Sequence, residues 1–544
     1  VYVGMIALLQ RLMSSPHTII NIWNGMKLSL GFLSIYFIVG EILQGGKKQG
    51  KQKLTIELSA IVAGAFYVLA TGSQNLIFFW VKALHSHDQV FLNPLMFLLL
   101  LRYLLTQQKR YLFGFLLVSF LFSTNFALIS APPLFAFYPL ALVFLLLYVT
   151  RVRKKTIVMK DIILGLFLFV GLQSFHLLPE VLNVFDVRST THSIVFKEST
   201  TGGVNFFQAI RGEGKAILSF LVPPPSPPLR WFSFIAPIVV IVGFVLGRKK
   251  SMSILMTSVF FLLSFFLVSA NITNIGYELY KRLFYIPGFS MFRHFFVQWA
   301  FTHLFFYSVL LGMSLALILV RLKGIYQKII GIGMLTIFVV SYKPFLSGEL
   351  VDAVQWGSNN VKTAMIMDPR YERTLDFIRT LPAEGKMVMF PLTDNFHQVL
   401  YGLNDAAYVG PSSISILTSK KSFSGYQIFY PNPIPETIMR LSREKKYDAL
   451  TQIFSLFNIR YLFHNTDPKI YEEKFPQFPN SYMMTSMPKT QAEYKEFVKK
   501  FPVRPIYENG PFQMFEFEER VYRPEVYIPD SIYQTDMLER IEDK

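Results

Sequence analysis

Residues 285–320 read YIPGFSMFRHFFVQWAFTHLFFYSVLLGMSLALILV, and the class of the protein follows from them. The stretch opens with a Pro287-Gly288 turn and a cationic, aromatic segment that contains Arg293 and His294. It then predicts an apolar helix of about 24 residues, which is long enough to cross a bilayer core of about 30 Å. A cationic segment is therefore predicted where a membrane helix leaves the bilayer.

The composition places the whole chain in the membrane class. Hydrophobic residues make up 52% of the 544 residues and charged residues only 16%, whereas soluble domains carry about 25% charged residues. The absence of cysteine excludes a disulfide framework, a thiolate nucleophile and a cysteine-ligated metal. The net charge of +18 lies largely in short loops between apolar stretches. That distribution is typical of membrane proteins, so no nucleic-acid partner is predicted.

Ten apolar stretches before residue 350 have the length of membrane spans. They are residues 26–44, 54–72, 88–106, 111–129, 132–150, 160–178, 232–248, 252–270, 297–320 and 326–344. Alternate connections between them are basic, namely 47–53, 109–110, 151–160, 248–250 and 321–328. The positive-inside rule places these connections in the cytoplasm, and both chain ends outside.

The predicted fold is a polytopic α-helical membrane protein of about ten transmembrane helices over residues 1–350, followed by an extracytoplasmic α/β or α+β domain over residues 351–544. In the second part, KMVMFPL at 386–392 and NIRYLFHN at 458–465 are typical of buried strands, and PFQMFEFEE at 511–519 alternates like an edge or half-buried strand. The chain begins with Val1 and shows no signal peptide, so we expect a fragment that lacks earlier spans.

A polar segment at 85–89, HSHDQ, follows an aromatic run at a predicted outer span end. His85, His87 and Asp88 are residue types that can hold a divalent cation or act as an acid–base pair. The plainer alternative is a polar cap that anchors the helix end at the interface. The spacing of the histidines does not place both rings on one helix face, which weakens the metal hypothesis and leaves a divalent cofactor open.

A second group of candidates is cationic. Arg293, with Lys281, Arg282 and His294 nearby, suits a lipid phosphate, because a guanidinium makes bidentate contacts with phosphate oxygens. Long cations that reach the interface from a helix end are the alternative.

Four further polar residues could be functional, but each also has a purely structural explanation. Glu180 could be a base or a cation ligand, although a solvated loop charge is the favoured interpretation. His176 is the intramembrane polar residue best suited to line a cavity, whereas such residues often form bonds between helices. In the second domain, Tyr426 and Tyr430 could stack on an acceptor sugar, or pack in a core.

Several segments together resemble one family. They are YIPGFSMFR at 285–293, LLPEVL at 177–182, HSHDQ at 85–89, SFSGYQIF at 422–429 and LTQIFSLFNIRYLFHNTDP at 450–468. The chain resembles membrane glycosyltransferases of the GT-C superfamily, in the YfhO-like and arabinofuranosyltransferase-like branch.

The resemblance implies a transfer of sugar from a polyprenyl-phosphate donor to an extracytoplasmic glycan, glycolipid or protein, in a bacterial or archaeal cytoplasmic membrane. It implies that Arg293 contacts the donor phosphate and that the segment from His85 to Asp88 lines the same cavity. The family's catalytic acid lies in the first external loop, which is expected upstream of Val1, so this fragment alone is expected to be inactive. A non-catalytic protein that binds lipid-linked glycan, and a transporter or flippase, are the alternatives.

Overall fold

A computed structural model describes most of the helical and strand-forming parts of the chain. The described residues are 16–44, 53–78, 90–122, 132–187, 234–249, 251–292, 295–347, 355–356, 361–362, 369–390, 420–423, 440–442, 444–465 and 491–522, with isolated positions at 11, 192, 195–196, 414, 418 and 437–438. The chain divides into two compact units, Val1–Leu350 and Val351–Lys544. Each unit is described by itself.

The first unit is helical. Its α-helices are α1 (Pro16–Gln44), α2 (Lys53–Phe78), α3 (Asn93–Thr106), α4 (Lys109–Leu121), α5 (Pro132–Phe135), α6 (Phe137–Leu147), α7 (Met159–Phe185), α8 (Ile235–Gly247), α9 (Met252–Ser269), α10 (Asn274–Leu283), α11 (Phe295–Leu319), α12 (Gly324–Ser341) and α13 (Lys343–Leu346). A π-helical turn at Tyr148–Val152 continues α6, and 3-10 turns lie at Ala270–Ile272 and Phe289–Phe292.

The chain is a multi-pass membrane protein. Among the described residues, six helices are long and apolar enough to cross a membrane, in α1, α2, α7, α9, α11 and α12. Three further apolar helices are shorter, at Val90–Thr106, Phe137–Val152 and Ile235–Gly247. All ten predicted stretches contain helix, but the count of about ten complete spans is not confirmed, because several of these helices are only 11 to 14 residues long.

Helix α11 is the centre of the bundle. Every residue from 301 to 316 is buried, and α11 packs against α2, α8 and α9. Small residues allow the close approach that membrane helices need. A methyl group at Gly312 would lie 2.9 Å from Ala63 of α2, and one at Gly243 of α8 would lie 2.1 Å from Cβ of Ser314. The segment that opened the sequence analysis is therefore the helix around which the others assemble.

The second unit contains a mixed five-stranded sheet. Its helices are α14 (Pro369–Thr380), α15 (Tyr447–Leu456) and α16 (Gln491–Val498), and its strands are β1 (Gln355–Trp356), β2 (Val361–Lys362), β3 (Lys386–Phe390), β4 (Ser422–Phe423), β5 (Ile459–Asn465), β6 (Val503–Asn509) and β7 (Phe512–Phe517). The sheet order is β4-β3-β5-β7-β6, with β4, β3 and β5 parallel and β5, β7 and β6 antiparallel. Strands β1 and β2 form a separate antiparallel pair.

Alternating residues of the strands feed two cores, one on each face of the sheet. Val388 and Phe390 pack with α15 and α16 on one face. Met387 and Met389 pack with α14 on the other face. This is the period of two that a strand imposes. The predicted buried strands at 386–392 and 458–465 are confirmed as β3 and β5, whereas the third predicted strand, β7, lies inside the sheet and leaves β6 at the edge.

We predict that Gly243→Ala destabilises the bundle. The added methyl group would lie 2.1 Å from Cβ and 2.5 Å from Cα of Ser314, so α8 and α11 must separate. Overpacking of this kind typically costs about 1–3 kcal/mol. We expect a lower thermal midpoint for the full chain in detergent. The matched control is Gly333→Ala in α12, where nothing lies within 4 Å of the new methyl group. Equal midpoints for the two variants would contradict the packing described for α8.

The second unit is predicted to gain stability with rising pH through Lys420. This side chain is 5% exposed, and its Nζ donates to the carbonyls of Pro382 and Glu384. Burial, and then the charge of Arg460, lowers the pKa of Lys420 to about 8 from an ordinary value of 10.5. Between these two pH values the unfolded chain holds a proton that the folded chain has released, so stability rises with pH.

Lys420→Met is expected to remove this slope, which approaches about 1.4 kcal/mol per pH unit for one proton. The measurement is the denaturant midpoint of this unit at pH 8, 9 and 10, followed in the full chain by pulse proteolysis. Lys421→Met, at the exposed neighbouring position, is the control. The same slope in wild type and Lys420→Met would refute the assignment.

Candidate functional site

The predicted basic connections lie at one end of the helical bundle. Gly247 at the end of α8 approaches Ile254 at the start of α9 and Leu317 near the end of α11. Gly331 of α12 contacts Leu58 in the first half of α2, and Gly165 of α7 contacts Leu112 in the first half of α4. Gln44, Lys53 and Arg102 border one pocket. We call this the basic end, and the opposite end the distal end.

A group of hydrogen bonds fixes the chain where α11 begins at the distal end. The hydroxyl of Tyr280 donates to the carbonyl of Phe292 and accepts a bond of 2.8 Å from Nε1 of Trp299. Nε2 of Gln298 donates to the carbonyl of Met291 over 2.6 Å. We call Tyr280, Met291, Phe292, Gln298 and Trp299 the distal clamp. The clamp ties α10 and the 3-10 turn at Phe289–Phe292 to the first turn of α11.

Aromatic packing supports the clamp. The ring of Phe292 lies 4.9 Å from that of Trp299, and the ring of Phe289 lies 5.3 Å from that of Tyr280. Gly288 has a φ of +84°, which glycine adopts without strain and other residues rarely adopt. The Pro-Gly turn that the sequence predicted is thus the point where the chain reverses from α10 toward α11.

Helix α10 lies between two spans at the distal end and has two different faces. Gly276, Tyr277 and Tyr280 are buried against the bundle, whereas Ile275 and Leu279 are 76% and 48% exposed. The hydroxyl of Thr273 caps the helix by accepting from N–H of Gly276 over 3.0 Å. An exposed apolar stripe on a short helix at a bundle end suits a helix that lies in the membrane interface.

Two of the predicted phosphate-binding cations lie at the end of α10. Lys281 is half-buried and pairs with Glu278 over 3.9 Å, and Arg282 is exposed. Arg293 and His294 lie outside the described residues, although Phe292 before them and the start of α11 after them are described. The structure therefore places Lys281 and Arg282 at the distal end, and the grouping of these residues with Arg293 and His294 stays a prediction.

His176 and Glu180 lie on one face of α7, four residues apart. Both side chains are half-buried, and the ring of His176 lies 5.4 Å from that of Phe175. Helix α7 packs on α4, where Nε2 of Gln173 donates to the carbonyl of Ser119 over 2.8 Å. Glu180 was expected to begin a loop, but the helix runs on to Phe185 through Pro179, so Glu180 is a helical residue.

The remaining predicted site residues lie outside the described residues. These are His85, His87 and Asp88 of the first outer loop and Tyr426 and Tyr430 of the second unit. Their roles stay predictions. Within the part of the chain that the structure describes, no group of three or more histidine, cysteine, aspartate or glutamate side chains could hold a metal ion.

Comparisons with known proteins give structural likenesses but no match in sequence. No protein-family model matches the chain. No curated protein matches it either. A cryo-EM structure of the arabinofuranosyltransferase AftD from Mycobacteria is similar, with a TM-score of 0.47 and 12% sequence identity. The match covers 94% of this chain but 36% of that one. At this TM-score the likeness does not establish a shared fold.

Sequence reasoning missed two ionisable residues inside the bundle. Lys27 of α1 is 2% exposed, with Nζ 5.8 Å from the centre of the Trp23 ring. His303 of α11 is fully buried, and its Nδ1 lies 3.2 Å from Oγ of Ser264. The sequence contained a pattern that could have identified both residues, because an ionisable residue within an apolar run often marks function in membrane proteins.

We predict that Tyr280→Phe loosens the distal clamp. The ring is kept, but the carbonyl of Phe292 and the indole N–H of Trp299 lose the hydroxyl that each one contacts. A buried polar group left without a partner costs about 1–3 kcal/mol. We expect a lower thermal midpoint and faster proteolysis within residues 284–292 of the full chain. Tyr285→Phe, at a position 61% exposed, should leave both unchanged, and equal behaviour of the two variants would argue against the clamp.

Proposed function

We propose that the chain is part of a membrane glycosyltransferase that takes a sugar from a polyprenyl-phosphate donor at the distal end. The observation that supports this proposal is the pair of cations at the end of α10, a helix that the distal clamp ties to the start of α11. Lys281 and Arg282 end an interfacial helix whose last buried residue, Tyr280, is bonded to Phe292, directly before Arg293 in the sequence. Cations held at the depth of the lipid headgroups suit a lipid phosphate.

The chemistry of such a donor matches the two faces of this region. A polyprenyl phosphate keeps its apolar tail in the bilayer and its charged head at the surface. The exposed Ile275 and Leu279 of α10 provide an apolar surface for the tail. Lys281, Arg282 and, by this proposal, Arg293 and His294 contact the phosphate.

In the proposed transfer, an acceptor hydroxyl oxygen attacks the anomeric carbon of the sugar. The bond between that carbon and the phosphate oxygen breaks, and the phosphate leaves with the bonding electrons. A carboxylate takes the hydroxyl proton, and cations stabilise the leaving phosphate. We assign the cationic part of this task to the distal segment.

The proposal also fixes an orientation. The basic end faces the cytoplasm of a bacterial or archaeal cell, because basic connections are retained on that side. The distal end and the region after residue 350 then lie outside, where a glycan, glycolipid or protein acceptor is available. In this proposal Tyr426 and Tyr430 stack on the acceptor, and the segment from His85 to Asp88 borders the donor cavity, with or without a divalent cation.

Transport of a lipid-linked glycan is the second candidate. Lys27 and His303 are buried inside the bundle, and intramembrane ionisable residues often mark transport pathways. A transporter would move the donor across the bilayer without breaking the bond between sugar and phosphate. The two candidates therefore differ in whether the sugar is released from its carrier.

The test is binding of polyprenyl phosphate to the full chain in nanodiscs. Arg293→Gln is expected to weaken binding about ten- to hundredfold, because a hydrogen bond to a charged group contributes about 1.5–3 kcal/mol. Arg321→Gln, an exposed arginine of the basic end, should bind as wild type does. Equal binding by both variants would refute the donor site.

A second assay, made on membranes that contain the protein, separates the enzyme from the transporter. Transfer of labelled sugar from polyprenyl phosphate to envelope glycan, reduced by Arg293→Gln, supports the glycosyltransferase. Movement of intact donor between leaflets without transfer supports the transporter.

A further inference from the structure

A cavity of about 450 Å³ lies at the basic end, bordered by residues of α1, α2 and α3. It is at the opposite end of the bundle from the distal clamp, so the proposed donor site does not account for it. Four of the residues that line it are charged: Glu41, Lys53, Glu57 and Arg102. Tyr36 and Phe37 line it on the side of α1.

The charges of this cavity are arranged in two pairs of opposite sign. Nε of Arg102 lies 3.1 Å from Oε1 of Glu41, and Nζ of Lys53 lies 3.8 Å from Oε1 of Glu57. The cavity thus has no net charge but presents both cations and carboxylates. Such a lining complements a ligand that itself carries a positive and a negative group, because each charge finds its opposite.

Hydrogen-bonding capacity is left over in the pair of Arg102 and Glu41. The hydrogen bond between them uses Nε of the guanidinium and one carboxylate oxygen. Within the described residues, the two Nη groups of Arg102 and the second oxygen of Glu41 make no hydrogen bond. The guanidinium is also held in place, 5.1 Å from the ring of Phe37. A fixed guanidinium with free N–H groups suits a phosphate, and a free carboxylate oxygen suits an ammonium group.

The position of the cavity points to a lipid. Gln44 ends α1, and Phe37 lies seven residues earlier in that helix, about 10 Å deeper at 1.5 Å per residue. Phe37 and Leu33, one further turn in, are 40% and 44% exposed. An exposed apolar stripe therefore runs from the cavity into the bilayer along α1. A headgroup in the cavity would leave its acyl chain on that stripe.

We propose that this cavity binds the headgroup of a zwitterionic phospholipid of the phosphatidylethanolamine class, from the leaflet at the basic end. The phosphate contacts Arg102, the ammonium group contacts Glu41 and Glu57, and one acyl chain lies along Phe37 and Leu33. Basic pockets at this side of membrane proteins bind anionic lipids. Here the two carboxylates cancel the cations, so an anionic headgroup gains no net attraction.

The test is lipid retention by the full chain, purified from vesicles of equal parts phosphatidylethanolamine and phosphatidylglycerol and analysed by native mass spectrometry. Wild type is expected to retain phosphatidylethanolamine in preference. Arg102→Gln should reduce the amount of retained phosphatidylethanolamine about tenfold, because the loss of one hydrogen bond to a charged group weakens binding by about that factor. Glu57→Gln, which changes an exposed pair and spares the fold, should shift the preference toward phosphatidylglycerol because the cavity becomes positive.

One variant serves as the control, and three outcomes would contradict the lipid assignment. Glu496→Gln, which removes the carboxylate of an exposed ion pair with Lys499 in the second unit, should retain lipid as wild type does. Free phosphoethanolamine should not displace the lipid if the apolar stripe contributes, whereas displacement would show a site for the soluble headgroup and would overturn the lipid assignment. Equal retention of the two lipids by wild type, or an unchanged preference in both Arg102→Gln and Glu57→Gln, would also overturn it.

Discussion

The absence of water in the bilayer core is the constraint on which this bundle depends. Every backbone N–H and carbonyl in that layer must be bonded within the protein, which leaves helices as the available element for such a chain. Since apolar burial gives little drive between helices there, the helices must be held by close packing. Helix α11 meets this requirement. It is buried over residues 301–316, and the approaches at Gly312 and Gly243 leave no room for a side chain.

The same constraint explains the distal clamp. The chain must leave helical structure to turn from α10 into α11, and this exposes backbone carbonyls close to the apolar layer. Tyr280 and Gln298 donate to the carbonyls of Phe292 and Met291, so the turn is satisfied by side chains instead of water. A turn held in this way fixes the end of α10, with Lys281 and Arg282, relative to the first turn of α11. Positioning of the phosphate, which the proposed chemistry requires, then follows from the packing of the turn.

The sequence predicted those features of the structure that depend on a single segment of the chain. Apolar run length predicted the long spans α1, α2, α9 and α11, and alternation predicted β3 and β5. Run length overestimated the length of α8, which was predicted over 232–248 but has 13 residues and ends at Gly247. Patterns within one segment could not predict contacts between residues that are far apart in the sequence. Trp299 bonds to Tyr280 across 19 residues, and Arg102 pairs with Glu41 across 61 residues. Lys27 and His303 were overlooked because hydropathy averages a single polar residue away.

Charged side chains are arranged differently at the two ends of the bundle, and this difference separates the roles that we propose for the two ends. At the basic end, Arg102 and Lys53 are each matched by a carboxylate, so the cavity between them discriminates by the arrangement of charges and not by their sum. At the distal end, Glu278 pairs with Lys281, and Arg282 is an exposed cation at the same end of α10. The phosphate proposed for the distal end and the zwitterion proposed for the cavity therefore depend on the local arrangement of charges and not on the total charge of each end, because the connections at the basic end are themselves cationic.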